Sequence, residues 1–175
     1  MHPTHRNLPL LLLHAREAAL GHFRPILKHF GLTDQQWRIV RALSESGDEL
    51  EPGQLAEACM IPKPSLTGIL SRMAEMKWID RHWSTHDQRR QVISLTPKGR
   101  ALAERVLPLV DRQYQLIEER IGAETLAALY RTLDDALELL RREITSVMAA
   151  VPAPRPDRRR ISSRAPPKSH PRSRP

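Results

Sequence analysis

The chain has 175 residues with 28 basic and 20 acidic side chains, a formal net charge of +8 and a length that suits one domain with or without an extension. One cysteine, Cys59, excludes an internal disulfide and a thiolate zinc site, and the eight histidines fall at no metal-ligating spacing, so neither metal nor cofactor is expected. No uncharged apolar run approaches the roughly eighteen residues that a membrane span needs, and aromatics make up only 4%, which leaves an aliphatic core of the kind helical proteins build.

The apolar stretch 8–13 is too short for a span. With Arg6 before it and no small-residue cleavage site after it, it makes a poor secretion signal, so the expected compartment is the cytoplasm. It instead opens a helix over 8–30, in which Leu13, Arg16, Leu20, Phe23, Leu27 and Phe30 recur at steps of three and four. Pro25 should bend or loosen that helix, and Gly31 should stop it. Thr33 with Gln36 three residues later then forms a capping box for a second helix, whose apolar side is Trp37, Ile39, Val40 and Leu43 and which ends near Gly47.

A short helix over 54–61 follows, with Leu55, Ala56 and Cys59 facing inward, and Pro62-Lys63-Pro64 breaks it. The next helix, 64–77, is sharply two-faced. Leu66, Ile69, Leu70, Met73 and Met76 lie on one side, and Pro64, Ser65, Thr67, Gly68, Ser71 and Arg72 on the other. The second face is small and polar, and Glu75 is its late acidic exception. Short side chains let a helix axis come close to a major groove, hydroxyls reach base edges and phosphates, and a guanidinium anchors the backbone. Two short helices around a tight turn are the helix-turn-helix plan, although Met60 stands where many such turns carry Gly. Residues 78–84 and 91–95 alternate as strands around the basic turn 85–90, a β-hairpin wing. Residues 52–98 carry a net charge of +3, against 0 for 1–51 and −2 for 99–151, so the positive excess of the body sits on this reader.

Two long helices follow over 98–121, with Pro108 as a kink, and over 124–149, separated by Gly122. Leu126, Leu129, Leu133, Leu137, Leu140, Ile144 and Val147 make a stripe on the second that a small domain cannot cover alone, which predicts a homodimer over an intramolecular bundle. The last 24 residues hold seven prolines and eight basic groups against one acid. They read as a disordered tail, 152–175, either simply solvated or acting as a non-specific DNA arm. The organisation is then a domain over 1–151 and a tail.

Asp87-x-Arg89 followed by Leu95-Thr96-x-x-Gly99, behind a helix such as 64–76, resembles the wing signature of the MarR family of winged-helix transcriptional regulators. The layout of residues 8–148 is similar to that family's dimerisation helices flanking a winged helix-turn-helix over 33–97. Within the family, Ala15-Arg16-Glu17-Ala18-Ala19, Phe23-Arg24-Pro25, Leu32-Thr33-x-Gln35-Gln36-Trp37-Arg38 and Pro64-Ser65-Leu66-Thr67-Gly68-Ile69-Leu70 resemble the branch that regulates homoprotocatechuate degradation, with nicotinate-catabolism regulators alongside. The tail has no counterpart there. The resemblance implies a mainly α homodimer that represses an aromatic-acid catabolic operon and leaves its pseudo-palindromic double-stranded operator when a small aromatic acid, such as a hydroxyphenylacetate or hydroxynicotinate, binds.

It also implies roles for single residues. Arg89 enters the minor groove at the wing tip with Arg90 beside it, and Asp87 holds the wing or only forms its turn. Lys63 and Arg72 join the small face of the reading helix on DNA, Arg72 either on a phosphate or in solvent. Arg16 is a charge on an apolar stripe: either it is paired with a carboxylate such as Glu17, or it snorkels, or it anchors an effector carboxylate with its bidentate fork. His14, Arg24, Trp37 and Arg38 complete the candidate effector lining, Trp37 being equally suited to plain core. Cys59 lacks a neighbouring His or Lys to lower its pKa, which favours buried filler over an oxidation sensor. No phosphate-cradling Gly loop, nucleophile motif or carboxylate pair points to an enzyme. The remaining alternatives are a DNA-compacting architectural protein, or a regulator of this family with a different or redox signal.

Overall fold

A computed structural model describes residues 5–47, 49–83 and 89–150, the last nine of these as backbone. In chain order the elements are α1 (Leu8–His29), α2 (Asp34–Ser46), α3 (Pro52–Ala58), α4 (Lys63–Glu75), β1 (Ile79–Trp83), β2 (Gln91–Leu95), α5 (Pro97–Ile121) and α6 (Ala123–Ala150). This is the expected helical chain with one hairpin. Both α1 and α5 run on through their internal prolines, Pro25 and Pro108.

Local chemistry sets the ends. Asn7 caps α1 by accepting from the Leu10 N–H (3.0 Å), a cap that the stripe of leucines gave no hint of. Thr33 and Gln36 form the expected box: the Thr33 hydroxyl accepts from the Gln36 N–H (3.2 Å), and the Gln36 side chain accepts from the Thr33 N–H (2.9 Å). Three helices end in Schellman turns with a left-handed residue just past the cap: Gly31 (φ +68°), Met60 (φ +49°) and Lys77 (φ +59°). Met60 thus occupies the conformation that Gly would adopt freely. It is 75% exposed, so its side chain adds little packing, and the strain is offset by the hydrogen bonds of the turn, from the Met60 N–H to Glu57 O (3.0 Å) and from the Ile61 N–H to Ala56 O (2.9 Å).

The hairpin pairs Ile79 with Leu95 through Trp83 with Gln91, antiparallel. A third segment joins it, since Leu50 and Ile93 exchange both backbone hydrogen bonds (3.0 and 2.8 Å). The flanking Glu49 and Glu51 carboxylates reach His82 and Arg90 of the hairpin. Beneath lies the core of Leu27, Ile39, Val40, Leu43, Leu55, Leu66, Ile69, Met73, Ile93, Val106 and Val110.

The Leu95-Thr96-x-x-Gly99 segment closes the reader onto α5. Thr96 Oγ1 accepts from the Gly99 N–H (3.0 Å) and donates to Lys77 O (2.6 Å), and Lys98 Nζ donates to Met76 O (2.9 Å). A Cβ on Gly99 would stand 1.9 Å from Trp78 O, so only glycine lets α5 start this close to the end of α4.

The chain divides into two units between Ala123 and Glu124. In the first, Leu8, Leu10, Leu11, Leu12 and Leu13 of α1 and Leu109, Leu116 and Ile121 of α5 are exposed. In the second, α6 buries no described side chain, and Leu129, Leu137, Leu139 and Leu140 stand open to solvent. The tail, 152–175, lies outside the described residues, as does Asp87. Among the described residues no helix is long and apolar enough to cross a membrane, and no cluster of potential metal ligands occurs.

Candidate nucleic-acid interface

The two faces of α4 separate as their sequence requires. Leu66, Ile69, Leu70 and Met73 are buried, Met76 is half-buried, and Lys63, Pro64, Ser65, Thr67, Gly68 and Arg72 are exposed. The hydroxyls of the exposed face turn onto the helix itself: Thr67 donates to Lys63 O (3.3 Å) and Ser71 to Thr67 O (3.1 Å). With their protons engaged, both oxygens still have lone pairs to offer as acceptors.

Ser71 is half-buried, because Arg81 of β1 reaches across. Its Nη2 donates to Ser71 Oγ (3.3 Å) and to Thr67 O (3.4 Å). In the sequence, strand alternation and a positive charge are all that mark Arg81.

Gly68 sits mid-helix with its Cβ position open, the nearest atom being Arg72 Nη1 at 3.9 Å. A glycine there costs about 1 kcal/mol relative to alanine, and no neighbour inside the protein requires it. Arg89 and Arg90 are exposed at the start of the second strand, where Arg90 pairs with Glu51.

The sequence profile described as the MarR family matches residues 30–90. The homoprotocatechuate degradative operon repressor of Escherichia coli is 43% identical over 135 residues, spanning 77% of this chain and 90% of that repressor. The transcriptional regulator FarR of Neisseria gonorrhoeae is 42% identical over 125 residues, spanning 71% and 85%. The crystal structure of NadR in complex with 4-hydroxyphenylacetate superposes with a TM-score of 0.68 at 40% identity, covering 78% of this chain and 96% of that one. The chain belongs to the MarR family. It is a winged-helix, DNA-binding transcriptional regulator, with α3 and α4 as the helix-turn-helix and β1–β2 as the wing.

In this MarR-family chain the residues considered for an effector fall in three places. Arg16 and Arg24 converge on Glu17: Arg16 donates to Glu17 Oε1 (2.7 Å) and to Asp34 Oδ2 (3.2 Å), and Arg24 donates to Glu17 Oε2 (2.5 Å). The Arg24 hydrogen bond, with both guanidinium charges, holds the Glu17 carboxyl below its usual range against a desolvation effect that raises it. Arg16 therefore takes the carboxylate-paired form, with 49% of its side chain exposed, and His14 is exposed on the same helix. Trp37 is core. Arg38 donates to the Cys59 carbonyl at the end of α3, and its Nε is buried without a hydrogen-bond partner. Burial pushes the Cys59 thiol pKa up despite the Arg38 charge, so the thiol stays protonated at neutral pH, as suits filler.

A fourth guanidinium, which the sequence reading passed over, has aromatic company. Arg41 donates to Tyr114 Oη (3.3 Å) from α2 to α5, lies 5.9 Å from that ring's centroid, and pairs with Glu45 (2.6 Å). Phe23 tilts against the same tyrosine at 4.7 Å. Hydrogen bonds to Glu45, then to Tyr114, raise the Arg41 pKa. Only the spacing of Arg41 one turn after Trp37 could have flagged it, and no sequence pattern pairs it with Tyr114.

Proposed function

We propose that this protein is a homodimeric repressor of an aromatic-acid catabolic operon, bound to a pseudo-palindromic operator and released from it by a small aromatic carboxylate. The observation that carries the DNA reading is Gly68. It is an open glycine in the middle of the exposed face of α4, destabilising to the free helix and useful only to a partner whose surface must come close. Ser65, Thr67 and Gly68 face the bases, while Lys63 and Arg72 take phosphates. Arg89 enters the minor groove, and Arg90 exchanges Glu51 for a phosphate.

The exposed leucines of α1 and α6 are covered by a second copy, which sets two reading helices at the spacing of successive major grooves, about 34 Å. The effector class is supported by the similar repressor of homoprotocatechuate degradation and by the 4-hydroxyphenylacetate complex of NadR. In this chain the guanidinium of Arg41 beside Tyr114 and Phe23 offers a carboxylate partner with aromatic faces around it.

The test is fluorescence anisotropy with promoter fragments from beside the protein's own gene and with scrambled duplexes of equal length. A repressor prefers one fragment by roughly a thousandfold or more at physiological salt and releases it on addition of 4-hydroxyphenylacetate or 6-hydroxynicotinate. Equal affinity for all duplexes would instead identify an architectural DNA-binding protein.

A further inference from the structure

The side of the hairpin that meets α4 carries Ile79, Arg81 and Trp83 at alternate positions, and each has a different surrounding. Ile79 is buried in the core. Arg81 donates to Thr67 O and Ser71 Oγ on α4, its backbone N–H is tied to the Asp80 carboxylate (2.8 Å), and its Nε is buried without a partner. Trp83 pairs with Gln91 at the outer end of the hairpin and is 62% exposed, whereas Trp37 and Trp78 are buried. Two residues along the strand from Arg81, and paired with the residue that follows Arg90, most of this indole is left in water.

We propose that this side of β1 is a third part of the DNA interface. Arg81 fixes the hairpin to the recognition helix, and Trp83 lies against the sugar-phosphate wall between the major groove read by α4 and the minor groove reached by the wing. The proposal rests on the DNA-binding reading above. The chemistry of each residue suits its place. Both hydrogen bonds leave Nη2, whose two hydrogens are fixed in the guanidinium plane, so the rigid group holds hairpin and helix at one angle where a freely rotating ammonium on a flexible stem would not, and Arg81 is a positioning residue that sets the angle between helix and wing. An indole offers an apolar face to deoxyribose and a neutral N–H to a phosphate oxygen, so its contact displaces no counterion and leaves the salt dependence of binding alone.

The experiment uses the full chain, the tightest-binding promoter fragment and a random duplex of equal length. Promoter DNA should lower acrylamide quenching of tryptophan fluorescence several-fold, and Trp83→Phe should abolish that change. Trp83→Ala should weaken promoter binding about tenfold with an unchanged salt slope. Arg81→Lys should keep the thermal midpoint and the salt slope but lower the promoter-over-random ratio about tenfold. If the wild type binds the promoter while quenching is indifferent to DNA, or Arg81→Lys keeps full preference, this part of the interface does not exist. If the wild type binds no promoter fragment, the DNA-binding reading itself falls, and this proposal with it.

Discussion

Gly68 and Gly99 occupy helices of one reader for opposite reasons, and substitution separates them. At Gly99 a methyl group collides with the Trp78 carbonyl, so the requirement is internal. At Gly68 a methyl group meets open space, so Gly68→Ala should raise stability by up to about 1 kcal/mol, seen as a higher thermal midpoint, and weaken operator binding in the same protein. Stability and affinity that rise together would remove the close approach of α4 to DNA. Arg89→Ala should leave the midpoint unchanged and cost about 1–3 kcal/mol of operator affinity by anisotropy, since an exposed wing residue supports no core. Unchanged affinity would take the wing off the DNA. At this scale the sequence was readable wherever chemistry is local: the Thr33 box, the Gly31 stop and the two faces of α4 follow from neighbours three or four residues apart. It was silent where partners are distant in the chain. Arg81 on Ser71, Glu51 on Arg90 and Arg41 on Tyr114 are set by tertiary approach, which no short-range pattern encodes.

Among the elements, α6 shows how far amphipathicity alone can be read. The three- and four-residue steps of its leucines placed the helix, and the excess of stripe over available core pointed outward, toward a second copy. In the structure Leu126 and Leu133 of that stripe are half-buried, while Leu129, Leu137 and Leu140 stand open. The bridge of Leu50 to Ile93 escaped notice for the converse reason, because a single paired residue has no period to detect. If α6 is covered by a partner copy, a charge in the middle of its stripe is costly only in the dimer. Leu137→Asp should therefore yield a monomer by light scattering, with the helical signal of the first unit retained, and operator affinity should fall at least a hundredfold as the second half-site is lost. A dimer that persists in this variant would place the interface elsewhere and leave the leucines of α6 without the role given to them here.

For the whole molecule, the question is how a small acid could move two reading helices without touching DNA. α2 and α5 pack against each other, both contributing to one core (Val40 and Leu43 from α2, Val106 and Val110 from α5), and Arg41 and Tyr114 join the same two helices at the surface. Past its C-terminus α2 leads into the Glu49–Glu51 segment that holds the hairpin. An anion that draws Arg41 away from Glu45 and inserts a ring beside Tyr114 and Phe23 changes the surface contact between the two helices, and the change has a route to the wing. It needs only to bind better to a dimer whose reading helices are wrongly spaced than to the operator-bound form, and a tenfold release takes about 1.4 kcal/mol of such preference. Breaking the Arg41–Glu45 pair costs little in itself, since an exposed pair one turn apart contributes at most a few tenths of a kcal/mol. Calorimetry with 4-hydroxyphenylacetate and 6-hydroxynicotinate should therefore give measurable binding to the wild type, a loss of tenfold or more in Arg41→Ala, and a smaller change in Arg16→Ala, whose guanidinium is already held by Glu17 and Asp34. Release from the operator should follow the same order, because the coupling is reciprocal. If Arg16→Ala is the variant that loses the acid, the anchor lies on α1 among Arg16, Arg24 and Glu17. If the wild type binds neither acid, the signal belongs to another chemical class.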